Sequence, residues 1–447
     1  MNVPLLFAAA LSLAEPHPPS QEGVRQPRHR MRADAVSYGP STLLVYPVAG
    51  EVAGDGGDFT IPYYVDVEPA SPAFRDFNCG SQTFDGHTGH DPYIRSFAEQ
   101  RIGVPVFAVL DGTVIELHDG EPDENTDNSS LFPANYIVIR HANDQVSHYS
   151  HLKRNSITHR VGDFVSAGTQ IGLVGSSGSS LAPHIHFEFR YRGEVVEPMA
   201  GPCRPGPSFF TEQPPLRTGF TFIRGTLSKT SFANVRPAPH DDAPPIGTFR
   251  RGQQTFHYKV DVANVSSSIT YELYVERPNG TRIPVSDGFL VNHSTALAAV
   301  FWKVDVDLNT TGNWHIVLEI NGGQQTFRRP FNVVATSSEI VNRPPGPVSA
   351  TIAPFTLGEV PVCRVSGDPL ADPDYDVVSY RYQWHVGGAL VRDVTSAARA
   401  DALARNLLTS RAVSCTVTVS DNEGGTAQPA VAHAEAGVTR RRSVRSR

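Results

Sequence analysis

Two short stretches concentrate groups that bind metals and move protons. "FDGHTGHD", residues 84–91, holds two histidines and two aspartates within eight residues, and "PHIHFEF", starting at Pro183, adds a second histidine pair about a hundred residues later. Nine of the 17 histidines lie between His87 and His186, where an even spread would place roughly four. In "PHIHFEF" the residues Ile185, Phe187 and Phe189 alternate with His184, His186 and Glu188. That period predicts a β-strand projecting both imidazoles from one face. In "HTGHD", Gly89 permits a tight bend and Asp91 precedes a proline, which predicts a loop or strand entry rather than a helix. One His and one carboxylate from this loop, joined by one His from the strand, would give zinc three protein ligands and leave a fourth position for water. A zinc ion so held lowers the pKa of water toward 7 and polarises a carbonyl, which is hydrolytic chemistry. If His186 is the strand ligand, His184 on the same face is within reach as the base. His151, in "SHYSHL", is the candidate for stabilising an oxyanion or protonating a leaving amine.

Five blocks carry a resemblance: "HTGHD", "GVPVFAVLDGTV", "YIVIRHANDQVSHYSHL", "VGDFVSAGTQIGLVGSSGSS" and "PHIHFEF". In order and spacing they resemble the lysostaphin and LytM type zinc metallopeptidases, peptidase family M23, over roughly residues 80–200. The resemblance implies that the H-x-x-x-D block falls on His87 and Asp91 and the second His of H-x-H on His186, as the zinc ligands. It implies His184 and His151 as the catalytic histidines, and a small antiparallel β-sheet with a groove walled by loops. It further implies substrates that are peptide bonds in bacterial cell-wall cross-links, at glycine bridges or next to D-alanine. His90 and Asp85 are expected to neighbour the site, with His90 the rival ligand. His141, His148 and His159 are expected to be structural or on the surface. Gly168, Gly172, Gly175 and Gly178 read as turn and close-packing glycines, since no G-x-x-x-x-G-K-S/T phosphate cradle is present. One departure is the long acidic connection "HDGEPDENTDNSSLFPA", which as a groove wall would disfavour anionic substrates.

The elements that must position these residues are short β-type runs separated by Gly, Asp and Ser, which predicts an all-β chain. A peptidase domain is expected over residues 43–212. A Pro-rich joint leads to a β-sandwich over 217–336, and "VNRPPGPVSA" opens a second sandwich over 345–437. In that last unit Cys363, Trp384 and Cys415 follow the order of an immunoglobulin-like domain, where an inter-sheet disulfide packs on a buried Trp. The units are expected to be modular, with catalysis independent of residues 345–447. The Asp-rich "DPLADPDYD", with Asp368, Asp372, Asp374 and Asp376, suits an Asp-capped turn first and oxygen ligation of Ca²⁺ second.

At 447 residues the chain exceeds a single compact core. With 38 basic against 45 acidic residues it lacks the basic excess of a nucleic-acid binder, so no DNA or RNA partner is expected. Residues 1–14 form an expected signal peptide, an apolar run too short to span a bilayer that ends in Ser12-Leu13-Ala14. Residues 15–42 are expected to be a disordered spacer or pro-region and 438–447 a basic solvated tail. Four cysteines, expected to pair as Cys79–Cys203 and Cys363–Cys415, point to an oxidising compartment. No transmembrane segment is expected, and the location would be secreted, periplasmic or cell-surface. The function that emerges is a secreted zinc metalloendopeptidase acting on peptidoglycan cross-links or glycine-rich peptides. The alternative is a non-hydrolytic cell-wall regulator on the same fold, or an adhesin. The two sandwiches would take a polysaccharide or other surface ligand.

Overall fold

The computed structural model describes residues 44–52, 57–68, 70–232, 243–265, 269–290, 295–367 and 372–437. The expected signal peptide, spacer and basic tail, and Asp368, lie outside the described residues. The chain is nearly all-β, as its alternating apolar pattern predicts. Its short α-helix α1 (Phe97–Ile102) is capped by Ser96, whose side chain accepts from the Glu99 amide.

Ten strands build the N-terminal unit: β1 (Phe59–Tyr63), β2 (Asp91–Ile94), β3 (Pro105–Phe107), β4 (Gly112–His118), β5 (Tyr136–His141), β6 (Gln145–Ser150), β7 (Phe164–Val165), β8 (Gln170–Leu173), β9 (His186–Tyr191) and β10 (Glu194–Val195). Six of them form one antiparallel sheet in the order β10-β9-β6-β5-β4-β7, while β1 pairs with β2 and β3 with β8. The β5–β6 hairpin turns through Asn143 and Asp144, both at positive φ, a conformation their short polar side chains tolerate. Register sets Ser150 opposite His186, so the end of β6 delivers the next residue, His151, beside the start of β9. The core under the sheet includes Val114, Ile137, Ile139, Tyr149, Ile185 and Phe187, all buried. Cys79 and Cys203 are bridged across 124 residues and tie the loop before "HTGHD" to the segment after β10.

Each C-terminal unit has two sheets around its own core. In the first, the three-stranded sheet Thr221–Ser228, Gly252–Val265 and Thr295–Leu308 shares a core with a five-stranded one containing Trp314 and Phe331. In the second, the Cys363–Cys415 disulfide joins a three-stranded sheet to a four-stranded one. Trp384 is fully buried in the same cluster, in register with Cys415, and donates its indole N–H to Asp401 at 2.8 Å.

The expected modular units are in direct contact. The last unit folds back on the first: Ala397, Ala398 and Ala402 belong to the N-terminal core, the Ala397 amide donates to the Gly103 carbonyl at 2.9 Å and the Arg405 amide to Ala167 at 3.0 Å. Arg399 pairs with Asp58, Arg405 with Asp111, and Arg392 donates to Gln170. Gly168 lies flush with this contact, since a Cβ there would approach Val360 Cγ1 to 2.8 Å. Small alanines make the contact because the backbones approach closely, and an alanine in an all-β sequence gives no sign of which unit it serves.

Candidate active site

The first stretch enters the sheet as predicted: residues 87–90 form a loop and Asp91 opens β2. The glycine in it serves closeness more than bending. A Cβ on Gly89 would lie 2.6 Å from the Phe187 carbonyl oxygen and 2.8 Å from the His186 ring, so only glycine lets the loop rest on β9. Backbone bonds between His90 and Phe187 in both directions, at 2.8 and 2.9 Å, fix that contact.

The contact brings His87, Asp91 and His186 together, all buried, with one potential ligand atom from each lying within 4.8 Å of the others. His87 Nδ1 lies 2.7 Å from the Tyr64 carbonyl oxygen. A carbonyl only accepts, so Nδ1 carries the proton and Nε2 presents its lone pair to the site. That Nε2 is buried and has no hydrogen-bond partner, although Asp91 Oδ2 stands 3.1 Å away. Asp91 Oδ1 accepts from His186 Nδ1 at 3.0 Å. Burial acts to raise the Asp91 carboxyl, but His87 and His186 outweigh it and hold the group well below the usual carboxylate range. An anionic oxygen and imidazole nitrogens, one of them an orphaned buried acceptor, form a donor set that fits zinc.

His90 does not compete for this site. Its ring is fully buried and turned away, with Nε2 2.8 Å from Glu197 Oε1, and Glu197 also receives the Val65 and Met199 amides. Asp85 accepts from Ser71 near the surface. His141 is a structural histidine, held between the Asp111 carbonyl and Ser147 Oγ.

The second histidine pair divides between two environments. His186 is the first residue of β9, whereas His184 precedes the strand and makes single bridges to Tyr93 and Gly175. Both rings are buried, as are the apolar residues between and beyond them, so the alternation marks direction and not exposure. His184 Nδ1 donates to the Ala182 carbonyl at 2.8 Å, which leaves the lone pair on Nε2. Its ring stacks on Tyr93, centroids 4.3 Å apart and planes 4° apart. Burial and the neighbouring His151 push its pKa down to about 3, so it is neutral at pH 7.

His151 follows β6 at φ +61, a left-handed conformation unusual for a residue with a side chain. Its Nδ1 donates to the Ser177 carbonyl at 2.7 Å, and its ring centroid lies 4.6 Å from that of His184. Gly175 makes this possible, because a Cβ there would lie 2.3 Å from the Lys153 amide nitrogen. The strands carrying the two histidines can therefore close on each other.

The acidic connection 118–134 lies along the segment that leads to His184. Asn125 exchanges backbone and side-chain bonds with Ser176 and Gly178, and Asp127 bridges Ser180. Two of its carboxylates turn inward: Asp123 accepts the Ser176 and Arg154 amides, and Asp119 those of Asn155 and Ile157. Leu131 and Phe132 are exposed at its far end.

Tyr93 and Thr88, the latter with Oγ1 3.3 Å from His186 Nε2, escaped the sequence analysis. Tyr93 had a signal: it lies two residues beyond Asp91, hence on the same face of β2. Thr88 had none beyond its place between two histidines.

The model of "Peptidase family M23" matches residues 94–198. That span holds His151, His184 and His186 and begins just after Asp91, so the placing of His87 and Asp91 rests on the geometry above. The chain is similar to the peptidoglycan DD-endopeptidase ShyA of Vibrio cholerae, 35% identical over 98 residues, 22% of this chain and 20% of that protein. It is also similar to the DD-carboxypeptidase/endopeptidase Mpg of Neisseria meningitidis, 32% identical over 151 residues, 34% of this chain and 31% of that protein. The chain thus spans less than a third of the length of either relative. Among solved structures, the catalytic domain of the antimicrobial peptidase lysostaphin from Staphylococcus simulans aligns at 25% identity over 31% of this chain and 89% of that one, with a TM-score of 0.21.

Proposed function

We propose that the protein, whose residues 94–198 match the model of peptidase family M23, is an extracytoplasmic zinc-dependent endopeptidase that cleaves peptide bonds in peptidoglycan cross-links. The observation that carries this is the buried convergence of His87, Asp91 and His186 beside the stacked His151–His184 pair. The two relatives named as endopeptidases, one of them explicitly for peptidoglycan, supply the substrate class. Two disulfides support an oxidising location, and no helix among the described residues is long and apolar enough to cross a membrane.

Zinc bound by His87, Asp91 and His186 supplies Lewis-acid chemistry, acidifying a water and polarising the scissile carbonyl. The chain's own residues do the rest. His87 is oriented by the Tyr64 carbonyl, and Asp91 by the His186 Nδ1–H. The two imidazoles of His184 and His151 stand with centroids 4.6 Å apart, each with its Nδ1–H on a backbone carbonyl. His184, whose pKa is depressed by burial, is neutral and takes the water's proton at Nε2. His151, its Nδ1–H bonded to the Ser177 carbonyl, acts through Nε2 on the oxyanion or the leaving amine. The two C-terminal sandwiches are read as surface-binding units, the last of them immunoglobulin-like.

The test is to incubate purified protein with peptidoglycan of several cross-link types, with and without a zinc chelator, and to identify the amino termini released. New termini at D-alanine or glycine that vanish with chelator support the proposal. Absence of new termini from every wall type, or release indifferent to the chelator, refutes it.

A further inference from the structure

A second cluster lies in the last unit and shares no residue with the histidine site. Asp372, Asp376 and Asp421 offer carboxylate oxygens within 4.8 Å of one another. Oxygens that share one Ca²⁺ at 2.3–2.6 Å lie no more than about 5 Å apart, so this spread suits ligands around a single ion. Asp372 is 3% exposed, and its two oxygens differ. Oδ1 accepts the amides of Asp374 and Asp376 at 2.8 and 3.2 Å, as an Asp-capped turn requires. Oδ2 is buried with no hydrogen-bond partner among the described residues. A turn needs only the first oxygen, and a buried, unpaired carboxylate oxygen beside two more carboxylates is costly without a cation.

The nearby arginine does not supply that cation. Arg343 is taken up by Asp374, with Nη2 2.8 Å from Oδ1, and by the Pro373 carbonyl at 2.6 Å. Asp421 is held in place from both sides, Oδ1 by the Glu423 and Gly425 amides and Oδ2 by the Asn342 side chain at 3.0 Å. Three carboxylates with no nitrogen or sulfur donor select a hard cation, and their irregular loop setting suits the flexible coordination of calcium over the strict octahedron of magnesium.

We propose that Asp372, Asp376 and Asp421 bind one Ca²⁺ ion at the joint between the two C-terminal sandwiches. The ion would join the loop before strand Ser379–Val386 to the end of strand Ala412–Ser420. Through Asn342 on Asp421, and Arg343 on Asp374, it would also hold the linker that connects the units. Asp374 bonds across to Thr248, and the Arg343 guanidinium to the Gly247 carbonyl, so the joint is fixed from the other side. The site therefore sets the angle at which the middle sandwich meets the last one.

The experiment uses the full chain loaded with zinc, so that the histidine site is filled. Equilibrium dialysis against CaCl₂ is expected to give one bound Ca²⁺ per chain. Asp376→Asn should weaken it by at least about tenfold, the scale for loss of a charged ligand. Asp393→Asn, an exposed aspartate of the same unit paired with Arg381, should leave binding unchanged. In calcium-free buffer Asp376→Asn should unfold at the same temperature as the parent or higher, because it removes like-charge repulsion, and calcium should reverse that order. No saturable binding, equal binding by Asp376→Asn, or equal affinity for Mg²⁺ would overturn the assignment. So would a calcium-free Asp376→Asn protein that unfolds below the parent, since the carboxylate would then be part of the turn itself.

Discussion

Replacing His184 by alanine separates the base from the ligands. The ring bonds to the Ala182 carbonyl, has Ser180 Oγ 3.2 Å from the same nitrogen, stacks on Tyr93 and touches the His151 ring. Leaving a buried carbonyl unpaired costs about 1–3 kcal/mol, and loss of an aromatic stack about 0.5–1.5 kcal/mol. The sum, about 1.5–4.5 kcal/mol, is a fraction of the 5–15 kcal/mol typical of a folded domain, so the variant should remain folded at 25 °C. Zinc should stay, because His184 is not one of the three residues whose ligand atoms converge. Turnover should fall by about 10²–10⁴, the usual scale for removing a general base, or about 3–5 kcal/mol of barrier. The parent ring is already neutral at pH 7, its pKa being pushed down to about 3, so restoring the proton acceptor by raising the pH should not rescue the variant. Zinc per chain by atomic absorption, the unfolding midpoint and the initial rate on peptidoglycan are measured on one preparation. A His184→Ala protein that turns over at the parental rate, or one that loses zinc as fully as a ligand variant, refutes the assignment.

Asp91→Ala and His186→Ala should each lose both zinc and activity, because a three-ligand site does not spare a ligand; stoichiometric zinc in either would show that the ligands are wrongly chosen. His141 should make stability pH-dependent. Burial pushes its pKa down to about 4 from an ordinary 6.5, so its contribution is complete above about pH 6.5 and is lost as pH falls toward 4. The loss is about 3 kcal/mol, and chemical denaturation of His141→Gln should show a flatter slope across that window. Deleting residues 345–447 should lower the unfolding midpoint of the N-terminal unit, since it removes the Ala397–Gly103 and Arg405–Ala167 backbone bonds along with apolar contact. At about 1 kcal/mol for each lost bond plus the apolar area, the cost should exceed about 2 kcal/mol. A truncated chain as stable as the parent would restore the modular view.

What could be read from the sequence was chemistry carried by residue type, and what could not was contact made by backbone. Histidine and aspartate at close spacing announced a metal-binding group because few other roles require them together. The pattern of "PHIHFEF" marked a strand, which His186 opens and His184 precedes. The rest depended on atoms that every residue shares. The proton positions that leave a lone pair on Nε2 of His87 and of His184 are fixed by carbonyls of Tyr64 and Ala182, and a carbonyl leaves no mark in composition. Gly89 and Gly175 resembled ordinary turn glycines until the structure showed what a Cβ would strike. The same holds on a larger scale for the last unit, whose alanines 397, 398 and 402 enter the core of the first. The cysteine frame suggested closed and separate units, and Cys363–Cys415 does close one. A disulfide constrains the chain between its ends and is silent about which neighbour the outer surface meets. The N-terminal and last units, joined through Gly168, Ala397 and Arg405, therefore have to be considered together in any account of how the histidine site is held.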